Sequence, residues 1–363
     1  MTASHSFSGS YRQEDVTFLL RPLAQQGFVD VAEKEALIQS GQRHYSQMLS
    51  PEAAPSERYM RLFDQACRAN NARMAQDCLR LANLIAARPQ KQLVIVSLAR
   101  AGTPVGVVVT RLLRERFGRD AVHYSVSIVR DRGIDAAALR HILALGHKAE
   151  SIVFVDGWTG KGVIARELAA SVALFNARHG SLVCPDLYVL SDLAGAAACA
   201  ASGIDYLIPS SILNATVSGL VSRTVISDDM GPDDFHGCVY YEQVAPIDRS
   251  QAFADELTAL ALGTIDAPAQ PIDALGARAR SQTYLGAAMK RYGVADVNLI
   301  KPGIGEATRV LLRRVPRRLV LRDPGAPQVA HLAVLAEEKR VPVEIDPHLP
   351  YYAVSLIRSA SDG

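Results

Sequence analysis

The stretch 151-SIVFVDGWTGKGVIARELAA-170 decides the fold. Ile152, Val153, Phe154 and Val155 form a continuous apolar run, the pattern of a parallel strand covered on both faces. Asp156 is read as the end of that strand. Gly157, Gly160 and Gly162 free the turn to take unusual backbone angles and to let a ligand approach the main chain. Thr159 is a suitable cap for the helix that follows. Free N–H groups at a helix start, with the helix dipole behind them, attract anions, so a phosphate-bearing ligand is the default expectation. A Walker A loop does not fit, because Gly157 and Gly160 are too close and Gly162 follows Lys161 where a hydroxyl is needed. No G-x-G-x-x-G dinucleotide fingerprint occurs here.

Hydrophobic strand, Asp, short turn, Thr-Gly-x-Gly and helix together resemble the diphosphoribosyl-binding motif of type I phosphoribosyltransferases. The resemblance implies that Asp156 contacts the ribose hydroxyls as the catalytic residue. It also implies that Thr159, Gly160, Lys161 and Gly162 hold the 5-phosphate. The family usually carries two adjacent acids and a longer turn, whereas Gly157 and Trp158 follow Asp156 here. A second turn, SLARAG, closes the apolar run 93–98, and Arg100, Ala101 and Gly102 match the family loop that holds diphosphate. The guanidinium of Arg100 has the planar fork that suits phosphate. Arg130, Asp131 and Arg132 lie where a mobile hood would be, and a solvated charged loop is the equal alternative.

The chain has 363 residues, 49% hydrophobic and 21% charged, which bounds it to two or three globular domains with ample core. A net charge of +2 selects no partner class. The five cysteines are scattered, without a C-x-x-C pair, which argues against a disulfide framework or a zinc cluster. The first residues are polar where a signal peptide is apolar, and no apolar run reaches the ~18 residues that span a bilayer. A soluble cytoplasmic protein is the expectation.

Alternating strands and helices from residue 92 predict an α/β fold with a mostly parallel, doubly wound sheet. Strands are expected at 93–98, 122–129, 152–155, 187–190 and 206–208, with a helix of small residues at 194–201. Residues 1–15 read as disordered and 1–90 as a helical extension with few strand signals, with His44 and Tyr45 packing at a lip or facing substrate. The phosphoribosyltransferase-like domain covers 91–262. Within it, 212–225 is read as packed, or as part of a second-substrate pocket. The acidic 228–237 loop is read as solvated, with Mg²⁺ binding the alternative. A linker spans 263–276 and a small α/β/α domain 277–363, with three short strands and a final helix near 351–357.

Lys301, Arg309, Arg313, Arg314, Arg317, Arg318 and Arg322 crowd one short segment, with Glu306 the single acid inside it. Such a cluster suits a phosphate backbone, against a solvated helix face. KPGIGEATR resembles the Gly-rich turn and helix with which L7Ae-like and Pelota-type domains grip bent RNA. That resemblance makes Lys301, Gly303, Gly305, Glu306, Arg309 and Arg313 RNA-binding residues.

The two halves together resemble bacterial proteins that join a phosphoribosyltransferase-like domain to a Pelota-type RNA-binding domain, in tellurite-resistance and stress gene clusters. Some of these are labelled cysteine proteases. The residues lend that little support: Cys184 and Cys199 sit in core-like runs, Cys67 and Cys78 on helices, and only Cys238 has a histidine nearby in sequence, His236. The resemblance implies a phosphoribosyltransferase using 5-phosphoribosyl diphosphate or a related ribose phosphate with Mg²⁺. It also implies structured RNA at the C-terminal domain and a possible homodimer. The alternative is a non-catalytic RNA-binding or regulatory protein that senses a phosphoribosyl ligand. The acceptor is not legible.

Overall fold

A computed structural model describes residues 7–24, 37, 42, 44–49, 52, 54–227, 229–265 and 272–358. The first strands are β1 (Thr17–Leu19) and β2 (Arg21–Pro22), followed by a long helix α1 (Glu57–Ala86). Then come β3 (Gln92–Ala99), α2 (Thr103–Glu115), β4 (Asp120–Val129), the short β5 (Gly133–Ile134) and α3 (Ala136–Ala144). The organising unit is β6 (Ile152–Thr159) and α4 (Val163–His179), followed by β7 (Leu187–Asp192) and β8 (Cys199–Ser202). β9 (Gly237–Cys238) and α5 (Ser250–Leu262) end this half.

The main sheet runs β1-β4-β3-β6-β7-β8, all parallel, with β5 antiparallel on β4. The alternation of strand and helix does build a mixed α/β fold on a mainly parallel sheet. Successive β3 side chains go to opposite faces. Leu93 and Ile95 join the core under α1, α2 and α5, with Met74, Leu112 and Leu257. Val94, Val96 and Leu98 join the core under α3 and α4, with Ile142 and Val172. Burial on both faces explains the unbroken apolar runs. Chain order reverses on either side of β3, so the turns after β3 and β6 flank the point where such sheets bind ligands.

The second half is α6 (Ala274–Tyr292), β10 (Ile300–Pro302), α7 (Ile304–Arg313), β11 (Pro316–Leu321), α8 (Ala330–Glu338), β12 (Val343–Ile345) and β13 (Ala353–Ile357). Its sheet runs β10-β13-β11-β12. Ile304, Ala307 and Leu311 of α7 belong to the same apolar cluster as Ile208, Ile212 and Val217 of the first half. One core therefore runs through both halves.

Several expectations need correction. The segment 7–15 is held rather than disordered: Tyr11 is buried, and Asp15 makes a two-point ion pair with Arg111 at 2.6–2.7 Å. Residues 1–6 and most of 25–43 lie outside the described residues. β1 adds a strand to the sheet edge where no strand was expected. β6 runs past Asp156 to Thr159, because it keeps pairing with β7 through Asp192. The small residues before β8 form a loop, with the Asp192 carboxylate accepting the amides of Ala194 and Ala197, and no strand forms at 206–208. The last segment is a strand, not a helix: β13 pairs on both edges and is wholly buried. The Arg130–Arg132 segment is the tight turn between paired β4 and β5, too short for a hood.

Candidate functional site

The turn after β6 packs directly against β10 and α7 of the second half. A Cβ at Gly160 would stand 2.9 Å from the Pro302 carbonyl oxygen, so the missing side chain lets the two halves meet. Lys161 donates from Nζ to the Val297 carbonyl at 2.8 Å. Thr159 Oγ1 accepts the Gly162 amide at 2.9 Å, which closes the turn; the helix starts at Gly162 without a side-chain cap, so Thr159 is not the helix cap expected of it. Gly162 has φ +69°, and a Cβ there would collide with Ala196. A Cβ at Gly305 would stand 3.7 Å from the Trp158 indole, and the Arg309 guanidinium is 5.6 Å from its ring centre.

Between these segments lies a cleft of about 480 Å³. Lys161, Lys301 and Arg309 line it, with Arg130, Arg223 and Arg314. Glu306 is the one carboxylate among its lining residues, with Lys301 at 3.8 Å and Arg309 at 3.2 Å. Burial tends to push the Glu306 carboxyl up, but Arg309, Lys301 and Lys161 hold it below the usual value. Burial pulls Lys161 down to about 7, helped by Lys301, and also lowers Lys301. Asp156, beside the cleft, is pushed up to about 7 by burial, although its carboxylate accepts the Gly157 amide at 2.8 Å. The site is recessed and cationic, with groups that change charge near neutrality. Such perturbed groups concentrate at functional sites.

The expected residues are distributed unevenly around this cleft. Thr159, Gly160, Lys161, Gly162, Lys301, Glu306, Arg309 and Arg313 line it, so two segments 140 residues apart in the chain share one cavity. Arg100 faces elsewhere: its guanidinium pairs with Glu52 at 2.5 Å and donates to Asn214 Oδ1 and the Val221 carbonyl. Gly102 is wedged against strand backbone, where a Cβ would be 2.7 Å from the Val155 oxygen. The Arg100–Gly102 loop is therefore occupied by the protein itself. Arg313 donates to the carbonyls of Ser211, Ile212 and Leu213, and Gly303 sits between Leu193 and Asp205. These two join the halves together rather than facing outward. The 212–225 segment is packed structure that receives Arg100 and Arg313.

Sequence reading passed over Trp158, which lines the cleft, Glu52, which pairs with Arg100, and Asp205, which accepts the Ile304 amide at the start of α7. Only the singularity of Trp158 in the chain marked any of them. The acids of the 228–237 loop face arginines: Arg21 bridges Asp229 and Asp234, and Arg140 bridges Asp233. Asp228 lies outside the described residues. Among the described residues no three acids, histidines or cysteines group to suit a metal ion. No step is assigned to Mg²⁺.

A family model described as "Tellurite-like stress resistance cysteine protease StiP" matches residues 9–258. A protein named cysteine protease StiP, from Acinetobacter baylyi, is 42% identical over 98% of this chain and 96% of its own length. The chain belongs to the StiP family. A PELOTA RNA-binding domain model matches residues 279–359, in line with the resemblance of KPGIGEATR. A hypoxanthine phosphoribosyltransferase from Trypanosoma cruzi aligns with 38% of this chain and 82% of its own, at 12% identity. Its TM-score is 0.26, too low to carry an argument.

StiP membership overturns the expected phosphoribosyltransferase activity, with its enzyme class and its phosphoribosyl diphosphate or ribose phosphate partner. The alternative of a phosphoribosyl-ligand sensor falls with it. The engaged Arg100 is the physical counterpart, since the residue expected to hold diphosphate holds Glu52. The StiP name puts the thiols in question. Cys78 and Cys238 are buried and Cys67, Cys184 and Cys199 half-buried, and burial raises every one of them. His236 directs Nδ1 to Ser127 Oγ at 2.8 Å, not to Cys238. Among the described residues no hydrogen bond joins a cysteine to a histidine. No helix of the described residues is long and apolar enough to cross a membrane.

Proposed function

We propose that this StiP-family protein acts in stress resistance by binding RNA in the cleft its two halves share. The observation that carries this reading is convergence: Lys161 from one half and Lys301 and Arg309 from the other line a single recessed cavity with one acid. Clustered cations around a cavity favour phosphate, and the matched PELOTA domain supports RNA as the phosphate source. We read the first half as a type I phosphoribosyltransferase-like scaffold put to this use. The strand, Asp, Thr-Gly-x-Gly turn and helix of 152–179 support that reading of the fold.

The test is anisotropy of a labelled structured RNA across a salt series, with wild type, Lys161→Ala and Arg314→Glu. Each phosphate contact removed lowers the slope of log affinity against log salt by about 0.9 on a duplex, or about 0.7 on a single strand. Binding that ignores salt, or unchanged slopes in both variants, would sink the reading.

A second reading follows the relative's name, peptide hydrolysis by a thiol. Cys67 favours it most, because it lines a cavity of about 230 Å³ with Arg68, Arg249 and Glu256. Burial and then Glu256 push its thiol up to about 12, the opposite of nucleophile activation. A casein-cleavage assay on wild type and Cys67→Ala decides it: equal rates dismiss Cys67.

A further inference from the structure

The cleft has an aromatic wall as well as cations. Trp158, on strand β6, is half-buried at its margin beside helix α7. The Arg309 guanidinium stands 5.6 Å from the indole centre. Indole and guanidinium are the two planar surfaces on which unstacked nucleobases lie, and stacking is indifferent to base identity because every base has a π-face. The two lysines of the cleft are recessed. Lys301 and Glu306 side chains are about one-quarter exposed, at 24% and 23%, and Lys161 reaches inward to Val297. A convex double helix cannot bring its phosphates down to such groups, and its bases, stacked inside, cannot reach an indole. A volume of about 480 Å³ is that of a small-molecule pocket.

We propose that the cleft takes one unpaired nucleotide of an RNA strand, its base on the Trp158–Arg309 wall and its phosphate toward Lys161 and Lys301. This rests on the RNA-binding reading and sharpens it. The recognised element is a bulge, loop or end, not duplex. Neither half forms the site alone, because Trp158 and Lys161 come from one and Lys301 and Arg309 from the other. The shared core and Gly160, seated under Pro302, keep the walls in place before the nucleotide enters. A preformed aromatic wall lowers the ordering cost of binding.

The chain has one tryptophan, so tryptophan emission, excited selectively over tyrosine, reports on this wall alone. The full-length protein is titrated with a short single-stranded ribo-oligonucleotide, a blunt RNA duplex of equal charge and a free 5′-mononucleotide. Fluorescence is read beside anisotropy of labelled RNA. The single strand is expected to quench Trp158 saturably, and the duplex to bind weakly or without quenching. Trp158→Ala should weaken the single strand by about 5- to 100-fold, while Trp158→Phe restores most of it. Trp158→Phe also guards against a folding defect of the alanine variant.

A single strand that binds with unchanged Trp158 emission overturns the inference and leaves the RNA reading standing. So does a duplex that quenches equally. Quenching by the mononucleotide with no binding of any RNA overturns both the strand assignment and its parent reading. Absence of all binding does the same.

Discussion

The buried carboxylate of Asp205 accepts the Ile304 amide at 2.8 Å, so a side chain of the first half caps the helix that carries Glu306 and Arg309. Its second oxygen accepts the Tyr352 amide, also at 2.8 Å. An anion at a helix start gains from the dipole as well as the hydrogen bond. Asp205→Ala should therefore cost about 2–4 kcal/mol in urea unfolding. Asp205→Asn, which keeps one good acceptor, should fall between. Wild-type stability in Asp205→Ala would show that the halves dock without this cap.

Arg313 offers a contrast with the RNA role expected of it. One of its terminal nitrogens lies within hydrogen-bond reach of three carbonyls, at 2.6–2.9 Å, and shares its two N–H groups among them. Arg313→Ala should lower stability by about 2–3 kcal/mol while leaving the salt slope of RNA binding unchanged. A smaller slope with full stability would return Arg313 to the binding face.

Two groups beside the cleft titrate near neutrality, and both act in one direction. Lys161, lowered to about 7, gains positive charge as pH falls. Asp156, raised to about 7, loses negative charge over the same range. RNA affinity should rise several-fold from pH 8 to pH 6, and Asp156→Asn should remove part of that rise. Affinity that is flat across this window would show that neither charge faces the ligand.

Asp156 also makes a stability prediction of its own. A carboxyl held above its unfolded value contributes fully below about pH 4, and that contribution is lost as pH climbs through about 7. At pH 8 Asp156→Asn should be the more stable protein, by on the order of 2 kcal/mol after solvent screening. The two should converge by pH 4. Parallel stability curves for the two proteins would mean that burial does not raise this carboxyl.

The thiols bear on the family's name. All five are raised by burial, Cys67 and Cys238 to about 12. In the native protein at pH 7.5, iodoacetamide should alkylate them more than about a hundredfold slower than free cysteine, with full reaction after unfolding. One fast-reacting cysteine in the native state would identify a nucleophile and favour the protease reading.

Much of the fold was legible because β3 and β6 carry apolar runs that only a two-sided sheet core can accommodate. β13 was misread because a short run such as AVSLI is equally apolar as strand or helix, and its two pairing partners lie elsewhere in the chain. β1 was missed for the same reason: three residues carry no period, and the strand exists because β4 offers an open edge.

The sequence alone determined the turn chemistry. Thr159, Gly160, Lys161 and Gly162 close a tight turn that leads into a helix through local backbone rules, and KPGIGEATR marks a second such turn. Tertiary structure decided what those turns face. Gly160 lies under Pro302, Lys161 and Lys301 share one cavity, and Arg100 turns to Glu52 instead of a ligand. Local propensity acts over a few residues, whereas a cation's partner is set by whatever surface the whole chain brings beside it.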